Sequence, residues 1–373
     1  MKNSAYWSKL TNSLSPYIPG EQPKSTEKII KLNTNENPYP PSPKVIEAIK
    51  NAADEKLKLY PDPACTVFRE AVASRYNLKP EQVFCGNGSD EILAFAFAAF
   101  FENASGGLPH PQSILFPAIT YSFYPVYASL WNVPYKSLPL AKDFSVNSED
   151  YLQDSGGVII PNPNAPTGRA LKRKELTDIA SRLEKTKKVF ILDEAYIAFN
   201  DDPDSGSMIP FINEHPNLLI VRTLSKEASL AGLRSGFAVG STGLIEGLCR
   251  IRDSFNSYTM DRLALAASAA AVLDTAYYDE TSRRIISTRN RFSKALTELG
   301  FSVIPSQANF IFIMPPPSSL SAAKWLVTLR EKGILIRHFN KPDIENYLRV
   351  SIGTDGEMNI FLNACKGIIG RKA

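Results

Sequence analysis

Histidine and cysteine are scarce in this sequence. The 373 residues include only three histidines, His110, His215 and His338, and four cysteines, none of which forms a Cys-x-x-Cys pair. No two histidines have the spacing of metal ligands, so little is available for a zinc site or a Ser-His-Asp mechanism. Scattered single cysteines are typical of reduced thiols. The sequence therefore predicts a cytoplasmic protein without a metal centre.

Strong charge and long apolar runs are also lacking. The 42 basic and 38 acidic residues give a net charge of only +4, and no long basic run indicates a nucleic-acid partner. No segment reaches the ~18 consecutive apolar residues of a membrane span, and the N-terminus shows no signal-peptide pattern. Hydrophobic residues still make up 44% of the chain, enough for a large core in two domains or in one large and one small domain.

A lysine follows a short apolar run in the second half of the chain. Residues 218–221, Leu-Leu-Ile-Val, have the pattern of a buried strand, and the tetrapeptide Thr223–Lys226 lies where that strand would open into a loop. Parallel α/β proteins place their chemistry at such positions, and an amine there can condense with an aldehyde. Taken alone, Lys226 is more simply explained as a solvated side chain beyond a strand.

A second apolar run changes that interpretation. Residues 188–192 also have the pattern of a strand, and the tetrapeptide Asp-Glu-Ala-Tyr follows at 193–196. An acidic side chain can keep a pyridine nitrogen protonated, which makes the ring an electron sink, and a phenol can hydrogen-bond the ring oxygen. Asp193, Tyr196 and Lys226 together therefore match the needs of a pyridoxal cofactor.

Five further motifs occur in order along the chain. They are Leu-Asn-Thr-Asn-Glu-Asn-Pro-Tyr at 32–39, Tyr-Pro-Asp-Pro at 60–63, Gly-Asn-Gly-Ser-Asp-Glu at 86–91, Asn-Pro-Asn-Ala-Pro-Thr-Gly at 162–168 and Tyr-Leu-Arg at 347–349. With the two tetrapeptides, the ordered set resembles the fold-type-I pyridoxal phosphate (PLP) aminotransferases, and within them the histidinol-phosphate aminotransferases. The resemblance implies an α/β homodimer that binds PLP. Each subunit would have a large domain, with a mixed, mostly parallel sheet flanked by helices, and a smaller α/β C-terminal domain.

The resemblance also implies how the cofactor phosphate is held. Glycines before the apolar helix at 92–101 let backbone amides approach a phosphate, and the residues Gly88, Ser89 and Asp90 would do so. Ser89 and Asp90 are also candidates for the N-cap of that helix. The family's other phosphate contacts match Thr223, Ser225 and Arg234 of this chain, and Tyr60 of the partner subunit.

For the cofactor ring, the resemblance selects three kinds of contact. Tyr121 would stack on the pyridine face, whereas Tyr124 or Tyr127 is better suited to the core. Asp193 and Tyr196 would contact the ring nitrogen and the ring oxygen. The sequence departs from the family at Ala165, where an asparagine commonly precedes Pro-Thr-Gly and bonds the ring oxygen. Either Asn164 takes that role, or Tyr196 holds the oxygen alone.

An arginine lies inside the pattern of a C-terminal strand. Arg349 has apolar neighbours, where an unpaired charge is unfavourable. A planar guanidinium suits a phosphate or a carboxylate, to which it donates two parallel hydrogen bonds. The resemblance implies that Arg349 binds the anionic group of the substrate, with Arg337 as its companion and Tyr17 reaching the substrate from the N-terminal segment.

The chain is predicted to have four parts. They are an extended N-terminal arm at 1–31, a large PLP-binding domain at 32–258, a helical connection at 259–299 and a small domain at 300–373. In the last part we expect one strand at 334–337 and a final helix at 357–369.

The resemblance favours one reaction among several. Lys226 would hold PLP and then move the proton between the substrate α-carbon and the cofactor. The expected conversion is L-histidinol phosphate and 2-oxoglutarate to imidazole acetol phosphate and L-glutamate, a step of histidine biosynthesis. The shared motifs leave an aromatic amino-acid aminotransferase and a threonine-phosphate-type decarboxylase open. A regulator without activity is disfavoured because Lys226, Asp193, Tyr196 and Arg234 are all present.

Overall fold

Short apolar runs form the strands of the structure, a computed structural model that describes residues 4–17, 20–23, 29–104 and 112–370. The strands are β1 Ile30–Lys31, β2 Val83–Gly86, β3 Ile114–Pro117, β4 Tyr135–Leu138, β5 Val158–Pro161, β6 Phe190–Asp193, β7 Leu218–Thr223, β8 Gly236–Val239, β9 Ser302–Ile304, β10 Phe310–Met314, β11 Ile334–Leu335, β12 Arg337–His338 and β13 Leu348–Ser351. The helices are α1 Lys9–Ser13, α2 Pro43–Ala52, α3 Thr66–Tyr76, α4 Gly88–Phe100, α5 Tyr124–Leu130, α6 Arg173–Lys185, α7 Thr242–Phe255, α8 Arg262–Leu273, α9 Thr275–Glu298, α10 Ala322–Glu331 and α11 Asp355–Ile369.

A seven-stranded sheet organises the larger part of the chain. Its strand order is β2-β8-β7-β6-β5-β3-β4, and only β8 runs antiparallel to its neighbours. The strands β5, β6 and β7 are therefore adjacent and parallel, so their carboxyl ends meet at one edge. Crevices at that edge are where open α/β sheets bind ligands.

Both faces of this sheet are covered. Ile159 and Ile191 pack in one core with helices α4, α5 and α7, whereas Ile160 and Leu192 pack on the opposite face with α2, α3, α6 and α8. Successive side chains of a strand point to opposite faces, and a sheet buried on both faces needs apolar residues at every position. This requirement explains why the strands read as continuous apolar runs.

A smaller antiparallel sheet, in the order β12-β13-β10-β9, forms the second unit. Helices α9, α10 and α11 pack against it through side chains such as Phe292, Trp325 and Phe361. None of the helices in the described ranges is both long and apolar enough to cross a lipid bilayer.

Three details of the sequence interpretation need correction. The N-terminal segment is not simply an extended arm: α1 is helical and β1 pairs with β11 of the C-terminal unit. The strand expected at 334–337 is two strands in different sheets, because the chain leaves β1 at Leu335 and joins β13 at Arg337. The last helix begins at Asp355, since Thr354 and Glu357 form a capping box at its start.

The helical segment expected at 259–299 contains α8 and α9. Helix α8 packs on α2 and α3 of the larger unit, while α9 contributes Ile285 and Phe292 to the core of the smaller one. Leu32 also packs in the core of the smaller unit, although it follows the predicted boundary at residue 32. The division into four parts stays a prediction.

Candidate active site

The predicted cofactor residues gather at the carboxyl edge of the large sheet. Asp193 ends β6, Thr223 ends β7, and Lys226 follows three residues later in a turn. The Nζ atom of Lys226 donates a hydrogen bond to the backbone oxygen of Thr34 at 2.9 Å. Burial, reinforced by the charge of Arg349, lowers the pKa of Lys226 from 10.5 to about 8. A substantial fraction of the amine is therefore neutral near physiological pH, as a nucleophile or base requires.

Asp193 is a buried carboxylate held by two neutral donors. The hydroxyl of Tyr124 donates to Oδ2 at 2.9 Å, and the backbone N–H of Ala195 donates to Oδ1 at 3.1 Å. Burial nevertheless raises the pKa of Asp193 to about 6. Within the described residues no cationic side chain forms an ion pair with it. A protonated pyridine nitrogen would supply the missing cation, so this site fits a pyridoxal ring.

The start of helix α4 and Arg234 lie together, as the predicted phosphate contacts require. The guanidinium of Arg234 donates to Ser225 Oγ at 3.4 Å and to Asp90 Oδ2 at 3.0 Å. A Cβ atom at Gly88 would lie 3.0 Å from Arg234 Nη2, and the backbone there has φ +78°. Glycine therefore admits the arginine to the helix start. The N–H groups of the first turn, which include those of Ser89 and Asp90, have no intrahelical partners and suit an anion.

Ser89 and Asp90 do not cap this helix. Its N-cap is Asn87, whose backbone N–H donates to Glu91 Oε2 at 2.7 Å, so the helix starts earlier than the apolar pattern suggested. The carboxylate of Asp90 instead accepts a hydrogen bond from Tyr121 at 2.6 Å and pairs with Arg234. A carboxylate repels a phosphate, so Asp90 can contact one only through its backbone N–H.

The two tyrosines predicted to contact the cofactor ring are each held by a hydrogen bond. The bond to Asp90 fixes the hydroxyl of Tyr121, and its ring lies 5.5 Å from that of Phe123 and 5.8 Å from that of Tyr124. The hydroxyl of Tyr196 accepts a hydrogen bond from Asn35 Nδ2 at 3.0 Å. A hydroxyl that accepts in this way keeps its own proton free to donate, and burial raises the pKa of Tyr196, which preserves that proton.

Asn164 is buried and offers an acceptor. Its Nδ2 donates to the backbone oxygen of Ile119 at 3.0 Å and to Thr167 Oγ1 at 3.1 Å, while its Oδ1 is buried without a partner among the described residues. The amide N–H groups are thus already engaged. Of the two alternatives left by the sequence, donation to a ring oxygen by Tyr196 fits this arrangement better.

Arg337 and Arg349 face each other on neighbouring strands. Their Cα atoms are partners in the register of β12 and β13, and both guanidiniums lie over the ring of Phe339, at 5.6 and 5.5 Å. Arg349 donates to the backbone oxygen of Asn33 at 2.8 Å, and its Nε is buried without a partner in the described chain. Burial and the charge of Arg337 lower the pKa of Arg349. Like charges directly opposite repel, so an anion between them is favoured.

The two remaining predicted residues come from other parts of the chain. The ring of Tyr17 lies 4.4 Å from that of Phe123, which places the N-terminal segment beside the tyrosines of the site. Tyr60 is 79% exposed, and its ring stacks on Tyr258 at 4.7 Å. Its side chain is thus presented on the surface of the protomer.

Sequence reasoning missed three contributors to the site. Asn35 binds Tyr196, and the Nδ2 of Asn37 donates to the backbone oxygen of Lys226 at 3.1 Å. The motif at 32–39 contained both, but its pattern indicated no contact because the contacts span more than 150 residues. Tyr124 is buried as expected of a core tyrosine, yet its hydroxyl binds Asp193. The sequence did offer one indication, because the hydroxyl of a buried tyrosine usually needs a hydrogen-bond partner.

Comparisons with known proteins show the family to which the chain belongs. A family model described as aminotransferase class I and II matches residues 27–364. A histidinol-phosphate aminotransferase of Clostridium botulinum is 49% identical over 99% of each chain, and one of Clostridium acetobutylicum is 51% identical over 98% of this chain and 99% of that protein. A crystal structure of a histidinol-phosphate aminotransferase from Sinorhizobium meliloti, in complex with pyridoxal-5'-phosphate, has a TM-score of 0.85 with 24% identity and covers 100% of this chain and 99% of that one.

Proposed function

Because the chain belongs to the class I and II aminotransferases, we propose that it transfers the amino group of L-histidinol phosphate to 2-oxoglutarate, with pyridoxal phosphate as cofactor. The predicted fold class and enzyme class are thereby confirmed. Full-length relatives at about half identity carry the name of this activity. The observation within the site that supports the substrate is the opposed pair Arg337 and Arg349, for which the described residues provide no acidic partner.

The cofactor brings an aldehyde that takes up the amino group and a ring that accepts electrons. Lys226 would hold the cofactor through its amine and, when that amine is free, would move the proton of the substrate Cα atom. Asp193 would keep the ring nitrogen protonated, Tyr196 would donate to the ring oxygen, and Tyr121 would cover the ring.

The cofactor phosphate would be bound by the side chains of Thr223, Ser225 and Arg234, by the backbone N–H groups at Gly88, Ser89 and Asp90, and by the partner subunit's Tyr60. The buried Oδ1 of Asn164 would offer an acceptor on the ring side of the site.

The substrate phosphate lies between Arg337 and Arg349, with Tyr17 closing over it. A dianion neutralises two opposed guanidiniums, whereas a carboxylate neutralises only one. The ring of Phe339 lies against both guanidiniums. This arrangement favours a phosphorylated amine over an ordinary amino acid.

A comparison of three amines distinguishes the proposal from its rivals. The wild-type holoenzyme is mixed separately with histidinol phosphate, phenylalanine and threonine phosphate, and the absorbance of the bound cofactor is followed. We expect the fastest change with histidinol phosphate and no carbon dioxide from threonine phosphate. Faster reaction of phenylalanine at equal concentration would establish an aromatic aminotransferase instead, and released carbon dioxide would establish a decarboxylase.

The surface around Tyr60 supports the proposal of a homodimer with shared sites. That side chain is 79% exposed, and Leu57 and Leu59 on the same loop are 56% and 57% exposed. Three large apolar side chains on one loop are a surface that a partner covers. A second copy of this chain that binds there would bring Tyr60 to the phosphate of the neighbouring site.

Mixing two impaired variants tests whether each active site is built from both subunits. Tyr60→Phe and Lys226→Ala proteins, each impaired alone, are dissociated together and reassociated. Half of the randomly formed dimers are hybrids, and one site of each hybrid regains both native residues, so activity should return to about a quarter of the wild-type value. As a control, Lys226→Ala mixed with Asp193→Asn should recover nothing, because both residues belong to the same subunit's site. Hybrid dimers that form and remain inactive would exclude a shared site.

Two broader proposals accompany this function. A cytoplasmic location is supported by the four cysteines, all free. A large PLP-binding domain at 32–258 and a small domain at 300–373 are supported by the two separate sheets and their separate cores.

A further inference from the structure

Four charged side chains form a cluster directly behind the cofactor site. Three of them are next in sequence to predicted site residues. Glu194 follows Asp193, Arg222 precedes Thr223, and Glu227 follows Lys226. Arg222 lies in β7, where neighbouring side chains point to opposite faces, so its side chain and that of Thr223 are on opposite sides of the strand. Glu194 and Glu227 are tied to Arg222 by ion pairs, and Arg75 is tied to Glu227. The members of this charged cluster are Arg75, Glu194, Arg222 and Glu227.

Every member of the charged cluster is paired. Glu227 accepts hydrogen bonds from Arg75 at 2.8 Å and from Arg222 at 3.2 Å, one on each carboxylate oxygen. Arg222 also donates to Glu194 Oε2 at 3.1 Å. The exposed fractions of these side chains lie between 1% and 17%. Although burial alone would raise it, the pKa of Glu227 is lowered by the charges of Arg75 and Arg222, which favours the charged carboxylate between the two arginines.

The cluster is anchored to the loop after β6. Glu194 accepts a hydrogen bond from Ser207 Oγ and another from the backbone N–H of Met208, both at 2.7 Å. Met208 is itself fully buried in the core. Glu194 is therefore held in place. Its ion pair with Arg222 in turn holds Arg222 where it can bind Glu227.

The backbone of Lys226 has few other attachments. It lies beyond the end of β7, so no strand pairing holds its backbone. The Nδ2 of Asn37 donates to the backbone oxygens of Lys226 and Glu227, at 3.1 and 3.2 Å. A cavity of about 400 Å³ is lined by Arg75, Arg222 and Glu227 among others, so packing alone does not immobilise the Glu227 side chain. Its ion pairs do.

We propose that Glu227 is a positioning residue, whose ion pairs with Arg75 and Arg222 hold the turn that directs Lys226 at the reacting carbon. The inference rests on the proposed function of Lys226. We expect a geometric effect, because the largest influences on the pKa of Lys226 are burial and the charges of Arg349, Glu36, Asp90 and Arg234.

Glu227→Gln tests the proposal, since it keeps the side-chain size and removes the charge. With histidinol phosphate we expect kcat to fall about tenfold or more and KM to stay within about twofold, because a displacement of ~1 Å at a reacting group can cost about a hundredfold. A substrate with deuterium on Cα should show a larger isotope effect, because proton transfer becomes slower. Attachment of pyridoxal phosphate to the cofactor-free protein, followed by absorbance, should also slow down. Glu227→Asp should recover part of each loss.

Asp201→Asn is the matched control. It removes an ion pair of 2.9 Å from the buried Arg289 beside the same cavity, away from Lys226. We expect a lower Tm in both variants, but an unchanged isotope effect and attachment rate in the control. Arg75→Gln breaks the same contact from the other side and is measured if Glu227→Gln does not fold.

Two results separate the possible failures. If the charged-cluster variants lose Tm and keep the wild-type isotope effect and attachment rate, the cluster is structural only and the inference is wrong. If the wild-type protein transfers no amino group, the proposed function fails, while the attachment rate still tests whether Glu227 positions Lys226.

Discussion

Lys226→Ala is expected to lower kcat at least about 10³-fold, because the lysine both anchors the cofactor and moves the substrate proton, and general base catalysis alone contributes about 10²–10⁴-fold. The measurement is transamination of histidinol phosphate by the purified variant. Lys174→Ala, at a lysine whose side chain is 85% exposed on α6, is the control and should keep full activity. Borohydride reduction of the wild-type holoenzyme followed by peptide mapping should place the label on Lys226. A label on another lysine would refute the assignment.

The same lysine predicts a pH dependence. Its pKa is lowered from 10.5 to about 8, so the neutral amine predominates above about pH 8 and the ammonium predominates below it. Only the neutral amine attacks an aldehyde. Attachment of pyridoxal phosphate to the cofactor-free protein should therefore accelerate as pH rises, with a midpoint near 8. A midpoint near 10.5 would mean that Lys226 is a solvated lysine.

Arg349→Ala is expected to reduce kcat/KM for histidinol phosphate at least about a hundredfold. Charge-assisted hydrogen bonds are worth about 1.5–3 kcal/mol each, and each ~1.4 kcal/mol is a factor of ten in rate. Two such bonds to a phosphate, and the burial of an anion left with one arginine, account for the loss. The measurement is the initial rate over a range of histidinol phosphate concentrations.

The same Arg349→Ala variant also shows whether Arg349 binds a phosphate or a carboxylate. A dianionic phosphate shared with Arg337 loses more than a carboxylate does, so the loss for phenylalanine should be smaller than that for histidinol phosphate. Lys226 should still take up the cofactor, as its absorbance would show. Arg283→Ala, which removes an arginine 70% exposed on α9, should change neither rate. Equal losses for both substrates would show that the pair does not select a phosphate.

Local pattern was enough to propose the centre of the site. Asp193, Tyr196 and Lys226 each follow a short apolar run, and the end of a buried strand is visible within about six residues of sequence. Parallel strands bring their carboxyl ends together whatever the rest of the fold does. The cofactor residues could therefore be proposed without knowing how the helices pack.

Contacts between distant segments could not be proposed in that way. Asp90 holds Arg234 from 144 residues away, although its position beside two glycines suggested a helix cap. Asn35 holds Tyr196, and Asn37 holds the backbone of Lys226, across similar separations. Such hydrogen bonds form only because the folded chain brings distant segments together. The hydrophobic pattern of a short stretch of sequence carries no information about that.

The sequence by itself determined the class of fold and was enough to propose Lys226 as the cofactor lysine, with Asp193 and Tyr196 around it, because strand ends and turn motifs are properties of neighbouring residues. Only the tertiary structure decided that Arg337 faces Arg349 in register, that the strand expected at 334–337 divides between two sheets, and that Arg75 reaches Glu227. Pairing and register are set by the packing of whole elements, and a shift of one residue would place those side chains on opposite faces.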